Sequence, residues 1–289
     1  TYFGTRLPWI LPGYLTHQLF SPMAATYILH LAFYYAAISS LYLILKHVCG
    51  QRAGLLTSVL MGCHFFFLEA IGSDYIDGAG VTYLLLTLLM ITNLSKSTYV
   101  RLRLCFAGIF YGCLIYTQLF LTTYTPLIIL YYFFINPGHK RRILNLAFVI
   151  LGFAGLTLAL CTINYYLNGR FWFLKYVIKW TSSFVASPNP WWQSLALWWK
   201  TATWLLFPAI TFFGSVATLV FYKTTSSYPH RRPLIFFQTY FILTSLVHVI
   251  WQIQCKQPVL NLSFYASYLL PATFLALGAQ LSFAVSVLS

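Results

Sequence analysis

The sequence predicts an all-α fold, a polytopic membrane helix bundle of about nine transmembrane helices. Three observations predict it. Apolar residues make up 60% of the 289 and charged residues only 7%, against roughly 25% charged in a soluble domain. Mean hydropathy is +0.76, more apolar surface than a soluble fold hides and a bilayer makes it unnecessary to hide. Aromatic residues reach 20%, as expected of a chain with many interfacial belts, where Trp and Tyr sit at headgroup level. A single transmembrane domain over residues 1–289 follows, with no soluble domain, internal repeat or low-complexity tract.

Taken in order, residues 1–22 read as an outer loop leading into the first span. Pro8, Pro12 and Pro22 break helix there, and Arg6 lies just before them. The chain opens on Thr1 without a basic-then-apolar leader, and a further segment upstream is expected. Apolar runs, most of them near the ~20 residues that cross hydrocarbon, then occupy Met23–Leu45, Leu55–Ile71, Ala79–Leu94, Leu104–Leu119, Leu121–Ile135, Ile143–Tyr165, Thr201–Tyr222, Leu234–Trp251 and Leu262–Val287. The stretch 104–135 reads as one long helix or two short ones. The basic residues decide it.

With two helices, eleven of the 17 Lys and Arg share one side: Lys46, Arg52, Lys96, Arg101, Arg103, Lys140, Arg141, Arg142, Lys223, Arg231 and Arg232. The opposite side holds Arg6, Arg170, Lys175, Lys179, Lys200 and Lys256. A single span over 104–135 would put His139 to Arg142 on the wrong side, against the tendency of cytoplasmic loops to be basic. Nine spans therefore place the N-terminal segment outside and the C-terminus in the cytoplasm. Nucleic acid is not an expected partner. The longest connection, 164–200, is outer and rich in aromatics, including Trp172, Trp180, Trp191, Trp192, Trp198 and Trp199. Within it Phe171–Phe184 is amphipathic enough to lie flat in the interface. Pro188 and Pro190 end that helix before Trp191–Lys200 begins another.

Every carboxylate of the chain, Glu69, Asp74 and Asp77, falls within nine positions of one outer loop. A carboxylate near a bilayer is costly to desolvate, which makes this stretch the first functional candidate. The plainer reading is that Asp74 and Asp77 cap the next helix, whose N-terminal dipole suits Asp. Glu69 lies near the end of its helix and faces a cavity on this reading. Arg6 and Arg170 are candidates for a phosphate, which guanidinium binds bidentately, or for ordinary snorkelling. Lys175 and Lys179 read as snorkelling residues. His17, His30, His64 and His248 read as satisfied core or interface residues, and the six Cys as small apolar packers. No Gly-rich phosphate loop, zinc spacing or nucleophile elbow occurs. A carboxylate cluster, a few cations and many aromatics at one membrane face suit a substrate with an anionic head and a greasy tail.

The order of features resembles the protein O-mannosyltransferase-like enzymes of glycosyltransferase family 39. Tyr2-Phe-Gly-Thr-Arg-Leu-Pro8 with Pro12 resembles the "R-x-P…P" segment after that family's first outer loop. Leu41 to Lys46 followed by Gly50 to Leu56 is similar to its second and third spans and their short basic turn. Gly72-Ser-Asp-Tyr-Ile-Asp77 before Tyr83 resembles its "S-x-Y-x-D" outer loop, and Phe264 to Ala272 its "R-Y-L-L-P" segment without the Arg. The resemblance implies a C-type glycosyltransferase fold, a lipid-linked sugar donor on a polyisoprenyl-phosphate carrier, and transfer to an acceptor on the non-cytoplasmic face. It implies Asp74 or Asp77 in the second acidic position, Arg6 near the donor phosphate, and 164–200 as the interfacial helices shaping the lipid and acceptor entrances; Glu69, Tyr75 and Tyr268 are the candidates for the substrate cavity. It places the principal catalytic acid upstream of Thr1, and requires no cofactor or metal, although three clustered carboxylates have the chemistry to hold a divalent ion with waters. The short loops point to a bacterial inner membrane. Two other readings stay open: a catalytically incomplete scaffold among other membrane subunits, and a lipid or small-molecule transporter, which lacks the expected repeat symmetry.

Overall fold

The computed structural model describes residues 6–73, 76–94, 98–136, 142–186, 203–221, 228, 230–260 and 263–288. Among these residues every regular element is a helix. In chain order they are Leu7–Leu19 (α1), Pro22–Val48 (α2), Gln51–Gly62 (α3), Phe65–Gly72 (α4), Asp77–Ile91 (α5), Val100–Thr117 (α6), Thr125–Ile135 (α7), Arg142–Asn168 (α8), Leu174–Ala186 (α9), Leu206–Val220 (α10), Arg231–Ile253 (α11), Ser263–Ala266 (α12) and Leu270–Leu288 (α13). Short 3-10 segments occupy Leu119–Tyr124, Thr203–Leu205 and Ser267–Leu269.

Five helical stretches are long and apolar enough to cross a membrane: α2, α6, Ile143–Asn168 of α8, α11 and Ser267–Ser286. The pair α3 and α4 passes the same test across a 63° bend, giving up to six. Asp77–Ile91, Leu119–Ile135 and Leu206–Val220 are shorter apolar helices. Each predicted apolar run is thus largely helical in its described residues, with breaks at Cys63–His64, Thr92–Asn93 and Gln118, and five or six stretches have the length of a crossing.

The centre of the bundle is α5. Twelve of its 15 residues are buried, because α2, α4, α6, α7 and α13 pack around it. A helix apolar on all sides needs protein on all sides. Its length is about 22 Å at 1.5 Å per residue, short of the ~30 Å hydrocarbon; neighbouring helices enclose it, so the shortfall exposes no backbone to lipid. At the periphery, by contrast, only 17% of the apolar window of α8 is buried. That helix is fastened to α6 by two glycines. A Cβ on Gly108 would stand 2.0 Å from the Val149 carbonyl oxygen, and one on Gly152 2.0 Å from the Cys105 oxygen. Only hydrogen at both positions lets the backbones meet, the usual way helices associate where lipid removes the hydrophobic drive. On the far side Gln238, Gln280 and Ser215 tie α10, α11 and α13 together, with both Ser215 Oγ (2.6 Å) and Gln280 Nε2 (2.8 Å) donating to Gln238 Oε1.

The stretch 104–135 is two helices. Arg103 at the start of α6 and Asn136 just past α7 both bond the C-terminal end of α5, so the chain reverses between them. Gln118 turns extended (φ −145°, ψ 112°) at the reversal.

The leading segment differs from its sequence reading. Residues 7–19 of the expected outer loop form α1, with Pro8 in the first turn, where a missing N–H costs nothing, and Pro12 inside the helix. Pro12 has no N–H for the Pro8 carbonyl four residues back, and the Tyr83 hydroxyl of α5 donates to that oxygen at 2.8 Å. The proline gap becomes the point where α1 is pinned to the core. The expected outer loop at 164–200 also begins late, since α8 continues to Asn168. Within it α9 forms where an amphipathic helix was expected, and separates polar from apolar faces more sharply than α8. Trp191, Trp192, Trp198, Trp199 and Lys200 lie outside the described residues.

Candidate functional site

The site is built where the N-terminal end of α5 meets the reversal after α6 and the turn before α13. Asp77 is the first residue of α5 and is wholly buried. It does not cap the helix: Ile76 holds the cap position, and no described group donates a hydrogen bond to either Asp77 carboxylate oxygen. Three side chains act on it instead, those of Tyr268, Arg6 and Gln118. Arg6 is 5% exposed and Gln118 8%, so the charge of Asp77 is shielded from water and balanced by the guanidinium through space.

Each of these groups is held from behind. Tyr268 sits in the 3-10 turn Ser267–Leu269 with its phenol laid on Gly80, where a Cβ would come within 2.5 Å of the ring Cε1 and the hydroxyl. Gly80 lies three residues past Asp77, one helical turn along the same face. Phe120 meets the Tyr268 ring edge-on at 5.5 Å. Tyr124 donates to the Tyr268 carbonyl at 3.2 Å and meets His248 edge-on at 5.9 Å. Arg6 precedes α1, which the Tyr83 bond pins, and Trp9 of that helix stacks on His30 and meets Phe33 of α2 at a tilt. This backing is dense. The groups facing Asp77 are not satisfied by it: the Tyr268 hydroxyl and Gln118 Nε2 are buried beside Asp77 and, like the Asp77 oxygens, have no partner at hydrogen-bond geometry among the described residues.

Such orphans are rare in folded proteins, and each one costs about 1–3 kcal/mol. Three converging on one spot form a ready set of partners for something polar, a carboxylate that accepts and an amide and a phenol that donate, with the Arg6 guanidinium close enough to act on the carboxylate. Sugar hydroxyls and a phosphate have that complementarity.

Of the residues singled out in the sequence, Asp77, Arg6 and Tyr268 come together. Asp74 and Tyr75 lie outside the described residues. Glu69 stands exposed on α4 and is not among the groups that act on Asp77. Arg170 is exposed in the turn between α8 and α9 and likewise takes no part in the Asp77 cluster. His248 matches its reading as a satisfied core residue, with Nδ1 donating to the Thr244 carbonyl at 3.0 Å. His64 departs from it: its Nδ1 is buried without a hydrogen bond, in a box of Phe66, Phe207 and Phe274. Gln118, Phe120 and Tyr124 were not singled out. Gln118 carried a signal, as a lone amide next to the end of the run Leu104–Leu119, where 104–135 had to divide. Comparison with protein-family models, with curated proteins and with solved structures found no match to this chain.

Proposed function

We propose that this chain is the membrane region of a C-type integral membrane glycosyltransferase, crossing a bacterial inner membrane nine times with its N-terminal segment outside. It moves a sugar from a polyisoprenyl-phosphate donor to an acceptor hydroxyl on the non-cytoplasmic face. The observation that supports this reading is the convergence of Asp77, Gln118, Tyr268 and Arg6 in one buried cluster with three unsatisfied polar groups. Arg6 pairs with the donor phosphate. Gln118 and the Tyr268 phenol hold sugar hydroxyls, and Asp77 orients an acceptor or sugar hydroxyl. The acceptor oxygen forms a bond to the anomeric carbon as the bond to the phosphate oxygen breaks, with inversion. The phosphate leaves with the electron pair. The acceptor proton goes to a carboxylate, one that the family resemblance places ahead of Thr1, with Asp77 as second acid. Because phosphate is a good leaving group, the protein's work is positioning and proton removal.

The test is transfer from a radiolabelled polyisoprenyl-phosphate sugar by the full-length protein in detergent. Asp77→Asn is expected to reduce transfer by about 10²-fold through loss of orientation, with the melting temperature held. Undiminished transfer in that variant would sink the reading. A native protein that transfers nothing but copurifies with other membrane proteins would turn it into a scaffold.

A further inference from the structure

We propose that the cleft at the opposite end of the bundle binds the headgroup of an anionic phospholipid, independently of the transfer reaction. The cleft has a volume of about 540 Å³ and lies among the ends of α2, α5 and α7 and the start of α11, within the range of small-molecule sites. Its lining is divided. His47, Asn93 and Arg232 supply polar groups, while Phe133, Phe134 and Pro233 form an apolar wall. Cations crowd this end. Lys46 lies over the Tyr42 ring one residue from His47, and the Arg103 guanidinium is fixed at 2.8 Å to the carbonyl of Thr92, itself a lining residue. The chain has three Asp and Glu residues, all between positions 69 and 77, and the two described ones, Glu69 and Asp77, lie on α4 and at the other end of α5. Arg232 stands exposed at the cleft, so an anion entering it meets positive charge without a competing carboxylate among the described residues. The half-apolar lining at the end of crossing helices selects a lipid phosphate over a soluble one, because a soluble anion leaves Phe133 and Phe134 uncovered. Basic pockets between membrane helices hold anionic headgroups for the same reason.

The experiment is native mass spectrometry of the full-length protein in detergent, titrated with dioleoylphosphatidylglycerol and separately with dioleoylphosphatidylcholine. Retention of phosphatidylglycerol in preference to phosphatidylcholine is expected, with about fivefold weaker retention in Arg232→Gln and transfer activity unchanged. Equal retention of the two lipids, or an Arg232→Gln variant that holds phosphatidylglycerol like the native protein, overturns the proposal. So does displacement of phosphatidylglycerol by millimolar inorganic phosphate, which would make this a soluble-anion site. Should Arg232→Gln fail to fold, a photoreactive phosphatidylglycerol on the native protein decides: cross-links at residues 133–135 support the cleft, and cross-links confined elsewhere overturn it.

Discussion

At the C-terminal end of α5, polar side chains enter the core and are fully used. Asn136 donates to the Ile91 and Tyr132 carbonyls at 2.8 and 3.1 Å and accepts from the Leu94 N–H at 3.0 Å. Arg103 closes the Leu89 and Thr92 carbonyls, both at 2.8 Å, and the Thr92 hydroxyl pairs with Tyr131 at 2.8 Å. At the N-terminal end of the same helix the side chains of Asp77, Gln118 and Tyr268 are buried too, and among the described residues the Asp77 oxygens, Gln118 Nε2 and the Tyr268 hydroxyl make no such bonds. Both ends contain polar groups of the same kinds, in a helix whose sides are packed throughout. The difference is between polarity that closes a helix end and polarity held open for a visitor, and hydrogen-bond satisfaction separates the two where burial does not.

Substitutions at the two ends should therefore split stability from activity. The largest expected effect is the loss of transfer in Asp77→Asn, set against an unchanged melting temperature. Next comes the closed end: Asn136→Ala removes three hydrogen bonds at once and should destabilise by about 2–4 kcal/mol. Detergent-unfolding curves followed by Trp fluorescence should shift accordingly, with transfer per folded molecule intact. An activity loss there without a stability loss would erase the contrast. Gly80→Ala comes third, since its methyl must push the Tyr268 phenol away; about 1–3 kcal/mol is expected, together with a raised KM for the donor. The smallest effect should be Tyr268→Phe. Among the described residues no group meets its hydroxyl at hydrogen-bond geometry, although the Asp77 carboxylate faces it, so stability should change by less than about 1 kcal/mol while donor KM rises. A large stability loss in Tyr268→Phe would mean that the open end is closed after all.

Helix positions were legible because bilayer thickness imposes a long apolar run that the sequence displays directly. Ile143–Tyr165 became Arg142–Asn168, and Leu234–Trp251 became Arg231–Ile253, a few residues longer at each end. The division of 104–135 was legible from loop charge alone. Asp77 was legible because so few carboxylates exist to choose from. Its partners were less so. Residues 6, 77, 118 and 268 meet only because α1, α5, α6 and the turn before α13 pack together, and no local pattern encodes that meeting. The helical character of 7–19 was hidden by Pro8 and Pro12, which read as breakers until Tyr83 is seen to fill the gap. The bend between α3 and α4 at Cys63–His64 lacks a proline to announce it.

The enclosure of α5 bears on how its sequence can vary. A lipid-facing position such as Ile150 or Leu158 on α8 has one requirement, to be apolar, and many residues meet it. Each position along α5 has a neighbour in contact, down to the hydrogen of Gly80 and the hydroxyl that Thr82 offers the Phe33 carbonyl. In a saturation library scored for folded, inserted protein, α5 should tolerate the fewest amino acids per position and α8 among the most, although both helices are strongly apolar.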